Sequence, residues 1–402
     1  MEPIYITGAG VVSAIGVGKA ETLTSLIEGS SGIRAMKYLQ SRHCDLPVGE
    51  VQLSNEEMME MLRMPYDPFL TRTALIGRLA LCEALEQSGL SGEALSAVPF
   101  ISATTVGGMD RRELCYAQEK DCDCNHAHAL IATHNCADST KMIAGYFGQF
   151  AFLSTVSTAC SSATNAIITG ANMLRCGMAD TVIVGGAESL TMFHLNGFNS
   201  LMILDHQQCR PFDRDRAGLN LGEGAAYLVM ETEASLNKRD ATPIGRLSGY
   251  GNACDAFHQT ASSPEGTGAV LAMQEALAVA GLKPSDIQYV NAHGTGTPNN
   301  DESESYALKT VFADSLPPVS STKSFTGHTT SASGSIEAVF CLLAIQHQFI
   351  PANLNWHTPM DNGIIPYTTA SAGLASGNPI THVLSNAFGF GGNDSSIILS
   401  GN

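Results

Sequence analysis

Ser157-Thr158-Ala159-Cys160-Ser161-Ser162-Ala163 is the stretch on which the reading of this chain turns. An apolar, β-prone run, Ala151-Phe152-Leu153-Ser154-Thr155-Val156, leads into it. After it, the stretch from Asn165 to Arg175 places Ala166, Ile167, Gly170 and Leu174 at near-helical spacing. Cys160 is therefore expected where a strand turns into a helix, its sulfur facing free backbone N–H groups and the positive end of the helix dipole. That placement lowers a thiol's pKa and favours the thiolate. Two readings stand on this stretch alone: a reactive nucleophile, or a small buried cysteine in a tight turn.

Working outward, three more stretches carry chemistry-bearing residues. Val290-Asn291-Ala292-His293-Gly294-Thr295-Gly296-Thr297-Pro298 supplies a histidine after a short apolar run. Ser321-Thr322-Lys323-Ser324-Phe325-Thr326-Gly327-His328 supplies a lysine and a second histidine. Asn386-Ala387-Phe388-Gly389-Phe390-Gly391-Gly392-Asn393 supplies a glycine loop. Together, and in this order, these motifs resemble the β-ketoacyl-[acyl-carrier-protein] synthases, condensing enzymes of the thiolase superfamily. The resemblance runs from Ile4-Tyr5-Ile6-Thr7-Gly8 to the C-terminus.

Composition bounds the alternatives. A hydrophobic content of 44% with only 15% charged residues fits a well-buried α/β protein and not a disordered chain. Lys+Arg of 21 against Asp+Glu of 38 gives −17, which argues against a broad basic face for nucleic acid. The 11 cysteines show no framework spacing, and no apolar run approaches the ~20 residues of a membrane helix. A cytoplasmic protein with reduced thiols, no secretory leader and no membrane span is expected.

Local patterns outline the elements. Ile4 to Ser13 reads as a buried strand into a glycine turn; Gly8-Ala9-Gly10 lacks the third glycine of a dinucleotide loop, since position 13 is Ser13. Helices are expected over 22–27 and 65–88, the second stopped by Gly89, and again over 268–280 and 333–346. Strands are expected at Phe100 to Ala103, Thr181 to Glu188, the end of Asn220 to Glu231, Ile287 to Asn291 and His382 to Ser385. Alternating strands and helices point to parallel sheets. Near Thr242-Pro243-Ile244 the pattern begins again, so two halves, 1–241 and 242–402, are expected. The resemblance makes this a thiolase-like duplicated fold with five layers, α-β-α-β-α.

The resemblance also implies roles. Cys160 is the acyl-carrying nucleophile, His293 and His328 are the paired histidines, and Lys323 organises the site electrostatically. Glu304 is the glutamate of a buried network around that lysine, with Asp301 and Glu302 as neighbouring rivals. The N–H groups of Cys160 and Phe390 form an oxyanion hole, and Phe390 gates the acyl pocket on a loop freed by Gly389, Gly391 and Gly392. Thr295 and Thr297 bind the phosphopantetheine arm, and Val106 and Phe198 line the acyl pocket. The implied reaction is decarboxylative condensation with malonyl-[acyl-carrier protein]. It needs no metal or redox cofactor, and the implied partners are an acyl carrier protein and a second subunit, identical or different.

The chain departs from the pattern in several places. Asn393-Asp394 stands where Thr-Asn is usual. Thr329-Thr330-Ser331-Ala332-Ser333-Gly334 is more polar than the common Leu-Leu-Gly-Ala-Ala-Gly. Cys122, Cys124, His126 and His128 lack zinc-site spacing. No arginine follows Phe198, leaving Arg63, Arg72, Arg111, Arg112 and Lys120 as candidate docking cations. Two other readings remain. A coenzyme A thiolase would place a second cysteine in the C-terminal glycine motif, which has none here. A non-catalytic chain-length partner would lack the nucleophile.

Overall fold

A computed structural model describes residues 2–118, 133–369 and 379–402. Among the described residues, ten strands form one continuous hydrogen-bonded path in the order β4-β3-β5-β6-β1-β7-β11-β10-β8-β9, and an eleventh, β2, pairs with β1 off this path. The first group is β1 (Ile4–Ser13), β2 (Gly16–Val17), β3 (Phe100–Ala103), β4 (Leu153–Val156), β5 (Thr181–Glu188) and β6 (Gly224–Thr232). The second is β7 (Gly245–Cys254), β8 (Tyr289–Asn291), β9 (Val319–Ser320), β10 (His382–Gly389) and β11 (Asn393–Ser400).

The two groups repeat one topology. In the first, β4, β3 and β5 run parallel, then β6 and β1 add antiparallel. In the second, β9, β8 and β10 run parallel, then β11 and β7 add antiparallel. The groups meet edge to edge where Ile4, Tyr5 and Ile6 pair with Leu247, Arg246 and Gly245. The sheets are thus mixed and not parallel throughout. A three-residue connection such as Phe390–Gly392 permits only an antiparallel return from β10 to β11.

Three apolar clusters divide the molecule into five layers. Along β6, Ala225, Tyr227 and Val229 face one cluster with helix Arg72–Ser88, whereas Ala226, Leu228 and Met230 face another between the sheets. This is the period-2 alternation of a sheet covered on both faces. Helices Ser162–Arg175 and Ser333–His347 fill the middle layer, and almost all of the second is buried. They cross where Gly334 leaves room for Thr164. On the far side, Leu384 of β10 and Ile398 of β11 pack with helices Thr267–Ala280 and Pro298–Phe312. The five-layered α-β-α-β-α arrangement is therefore present.

The duplication extends to side chains. A Cβ on Gly8 or Gly10 would collide with the carbonyls of Ala84 or Ala80 in helix Arg72–Ser88. A Cβ on Gly249 or Gly251 would collide in the same way with Ala276 or Ala272 in helix Thr267–Ala280. Beside each second glycine, a helix glutamate accepts a strand N–H: Glu83 from Val11 and Glu275 from Asn252, both at 3.0 Å. So Gly8-Ala9-Gly10 is the interior of β1, where a helix presses on a strand, and not a turn.

Local chemistry sets the other boundaries. The helix expected from position 65 begins at Arg72, because Thr71 caps it by accepting from the Ala74 N–H at 3.1 Å. Pro65 and Pro68 keep the preceding residues out of it. Gly89 ends it in the left-handed conformation, φ 68°. Gly10→Ala should lower the urea midpoint by the equivalent of about 1–3 kcal/mol, as overpacking does. Gly145→Ala, at a helical glycine with nothing near its Cβ position, should hold or raise the midpoint. Equal midpoints for Gly10→Ala and the parent would contradict the close approach.

Candidate active site

The motifs gather where the parallel strands end. Cys160 follows β4, and the Lys323–His328 segment follows the equivalent strand β9. His293 follows β8, and the glycine hairpin follows β10. Ala159 holds φ +52°, a strained conformation for a residue with a Cβ, and lifts Cys160 out of line with the strand. Hydroxyls over-determine this elbow. Ser162 Oγ accepts from the Thr158 N–H at 2.8 Å and donates to the Ala159 carbonyl at 2.5 Å. Ser161 Oγ donates to the Thr158 carbonyl at 2.8 Å.

His293 and His328 meet edge to face, ring centroids 5.4 Å apart at 83°. Glu304 fixes the first by accepting the N–H groups of His293 and Gly294 at 2.8 and 2.7 Å. For the second, Nδ1 of His328 lies 3.0 Å from Ser333 Oγ, and the backbone N–H donates to Asn220 O at 2.7 Å. Behind them Lys323 and Glu337 form an ion pair at 2.6 Å, both side chains buried. Burial holds both imidazoles well below the usual histidine range, and the Lys323 charge pushes each further down. Both rings are therefore neutral at pH 7.

A cavity of about 410 Å³ opens onto Cys160, His293 and His328, with Thr295, Thr297, Phe198, Gly389, Phe390 and Gly391 in its wall. Thr295 and Thr297 share a hydroxyl hydrogen bond of 2.8 Å. The Phe198 and Phe390 rings stack at 5.8 Å, and the Phe390 N–H is directed at the Cys160 sulfur. Gly389 packs against Thr158 O and the N–H of Cys160, so a Cβ there would fit only if its neighbours shifted by a few tenths of an ångström.

Comparison with known proteins agrees with this layout. The family description "Beta-ketoacyl synthase, N-terminal domain" matches residues 1–235, and "Beta-ketoacyl synthase, C-terminal domain" matches residues 244–357. The chain belongs to the β-ketoacyl synthase family. It is 32% identical to 3-oxoacyl-[acyl-carrier-protein] synthase 2 of Staphylococcus aureus (strain N315), over 98% of this chain and 97% of that one. It is 31% identical to Nodulation protein E of Rhizobium sp. (strain N33), over 97% and 96%. Among solved structures, the ishigamide ketosynthase/chain length factor superposes with a TM-score of 0.90 at 28% identity, covering 100% of this chain and 99% of that one. A ketosynthase in complex with its chain length factor from Xenorhabdus doucetiae gives 0.81 at 30%, covering 100% and 98%.

Four sequence expectations are corrected. The lysine's partner is Glu337 and not Glu304, which instead braces the His293 turn. Glu337 is the lone carboxylate in the apolar run from Ile336 to Leu343, and that was its signal in the sequence. Val106 is buried and its N–H donates to Glu188 at 3.2 Å; it does not line the cavity. Arg72 is buried against Glu223 at 2.6 Å, and Arg111 donates to the Leu70 carbonyl, so neither is a docking cation. Arg63 is exposed and Arg112 half-buried, while Lys120, Cys122, Cys124, His126 and His128 lie outside the described residues. Among the described residues no cluster of three or more His, Cys, Asp or Glu is placed to hold a metal.

The fourth correction concerns the thiol. Burial pushes Cys160 up to about 11, against the opposing pull of Lys323 and the Phe390 N–H. Desolvation outweighs the helix end, which starts two residues later at Ser162. Sequence reasoning also passed over Glu188, which ends β5. It accepts from Thr104 Oγ1 (2.6 Å), the Thr105 N–H (2.8 Å), Thr330 Oγ1 and Ser331 Oγ, tying the loop after His328 to the first half. Iodoacetamide labelling of Cys160 should rise close to tenfold per pH unit between pH 7 and 10, because only the thiolate reacts. Peptide mass spectrometry, with exposed Cys176 as internal reference, reads this; a plateau reached by pH 8 would contradict it.

Proposed function

We propose that this chain is the catalytic ketosynthase of a carrier-protein-dependent synthesis, an acyltransferase performing decarboxylative condensation. The observation that carries the reading is the pair of neutral, edge-to-face histidines in one cavity with a cysteine on a strained elbow. In the first step the Cys160 sulfur, losing its proton as it bonds, attacks the acyl thioester on a carrier, and the carrier thiol leaves. The N–H groups of Cys160 and Phe390 receive the transient oxyanion.

In the second step His293 and His328 donate to the thioester carbonyl of malonyl-carrier. A hydroxyl donation from Ser333 to Nδ1 would leave the proton of His328 on Nε2, facing the cavity. Loss of carbon dioxide leaves an enolate, whose carbon attacks the Cys160 thioester; collapse expels the cysteine sulfur and releases 3-oxoacyl-carrier. Lys323, paired to Glu337, favours neutral imidazoles and so keeps them as donors to a developing negative oxygen. Thr295 and Thr297 suit the amides of a phosphopantetheine arm, and Phe390 stacked on Phe198 suits a gate.

The partners that fit are an acyl carrier protein and a second subunit. A homodimer is the first expectation, and pairing with a chain length factor is favoured by two similar solved structures, each of a ketosynthase with a chain length factor. No helix among the described residues is long and apolar enough to cross a membrane, and we place the chain in the cytoplasm. The two halves, 1–241 and 242–402, would supply the nucleophile and the histidines respectively. A non-catalytic role in setting chain length is the alternative, and the presence of Cys160 weighs against it.

His293→Ala should still form an acyl-enzyme at Cys160 but lose carbon dioxide release from malonyl-carrier by about 10²–10³-fold, the usual effect of removing one oxyanion donor. Labelled carbon dioxide release and intact mass, measured on the same preparation, separate the steps. Release at the parent rate would refute the assignment.

A further inference from the structure

One buried imidazole stands beside the site with no role in the proposed condensation. His194 lies in the first turn of helix Met192–Ser200, where Thr191 Oγ1 accepts its backbone N–H at 3.1 Å, and it is 7% exposed. The sheet explains its place. Strands β4, β3 and β5 are adjacent and parallel, so the segments that follow them emerge together at one edge. Cys160 follows β4, Thr105 follows β3, and Glu188 closes β5 just before this helix.

Two kinds of neighbour meet the His194 ring. Phe198, one turn along the helix, receives it edge to face, centroids 6.1 Å apart at 87°. Phe198 and the Phe390 ring stacked on it line the cavity, whereas His194 does not. The second neighbour is polar: Nε2 of His194 lies 3.4 Å from Thr105 Oγ1. That hydroxyl donates to Glu188, and so do those of Thr330 and Ser331 from the loop after His328. The cluster adjoins the reacting groups. After burial and the opposing pull of Lys323 and the Phe390 N–H, Glu188 pushes the Cys160 thiol up. After burial and Lys323, His194 pushes the His328 imidazole down. Burial keeps His194 itself below the usual histidine range, against the pull of Glu188.

We propose that His194 is a specificity-determining residue: with Thr105 it forms a fixed polar stop behind the Phe198–Phe390 pair, so that Cys160 accepts short acyl groups and rejects long saturated ones. The inference rests on the proposed transfer of an acyl group to Cys160. With the donor's arm along Thr295 and Thr297, the acyl tail is turned inward to the ring pair. A short tail ends before the rings. A longer one has to pass them and press on His194 and Thr105. An apolar wall would yield by changes of rotamer, but this one is held by donors committed to a buried carboxylate. Moving Thr105, Thr330 or Ser331 strips Glu188 of a hydrogen bond, and a saturated chain offers none in return.

Acylation of Cys160 by butyryl-carrier and by tetradecanoyl-carrier, followed by intact mass, reads the selectivity as a ratio of rates. The parent should favour butyryl by about tenfold or more, as a pocket that discriminates by methylenes does. His194→Ala should bring the two rates close to parity. His194→Gln, which keeps a polar group on the side facing Thr105, should retain most of the preference. A merely structural loss would lower both rates alike and leave their ratio where it was. Equal rates for the two donors in the parent, an unchanged ratio in His194→Ala, or the same relaxation in His194→Gln as in His194→Ala would overturn the stop. The parent's own ratio decides the matter even where a variant does not fold. A butyryl adduct without chain-length preference would overturn the stop alone. No adduct with either donor would overturn the acyl transfer on which it depends, and the stop with it.

Discussion

A lysine ammonium sits almost out of water, close enough to two histidines and a cysteine to shift the titration of all three, and the electrostatics of the site depend on it. Lys323 is balanced by a single carboxylate, Glu337. Such a pair contributes little net stability, because desolvation consumes most of the attraction. Its value lies in the field it leaves around it. The same positive charge pulls the Cys160 thiol down and pushes both imidazoles further toward the neutral form. One group therefore eases thiolate formation and keeps two imidazoles neutral. Removing either partner would leave the other buried and unpaired, so the pair also fixes where helix Ser333–His347 meets the active-site segment.

The duplicated architecture brings these residues together. Equivalent strands β4 and β9 deliver Cys160 and Lys323–His328, while β8 delivers His293 and β10 the glycine hairpin. The halves are the same frame with different loops. After β5 the chain makes a long excursion before β6, whereas after β10 it returns within three residues. That difference lets the hairpin lie directly on the Cys160 elbow, and lets Phe198, from the excursion, stack against Phe390. Glu188 and Ser331 then join the halves across 143 positions of sequence.

Much of this was legible from the amino acids because it is local. Gly89 ends a helix as a left-handed glycine must, the apolar run before Cys160 becomes a strand, and the residues after it become a helix. The paired histidines and glycine loop were recognisable as motifs, and their meeting in one cavity follows from the fold. What stayed hidden is non-local. Nothing near Lys323 announces that its partner is 14 residues on rather than Glu304. Gly8 and Gly10 read as a turn because a helix pressing on a strand leaves the same signature as a bend. The thiol expectation used the helix end and could not weigh burial, which is set by three segments closing over Cys160.

The account's central claim is that Cys160 carries an acyl group. Intact mass of the purified protein, after exposure to a panel of saturated, unsaturated and aromatic acyl-carrier proteins, tests it most directly, with Cys160→Ala as control. The account predicts an adduct of the acyl mass with at least one donor, absent in Cys160→Ala. An adduct that persists in Cys160→Ala, or none with any donor even when a chain length factor is supplied, would contradict it.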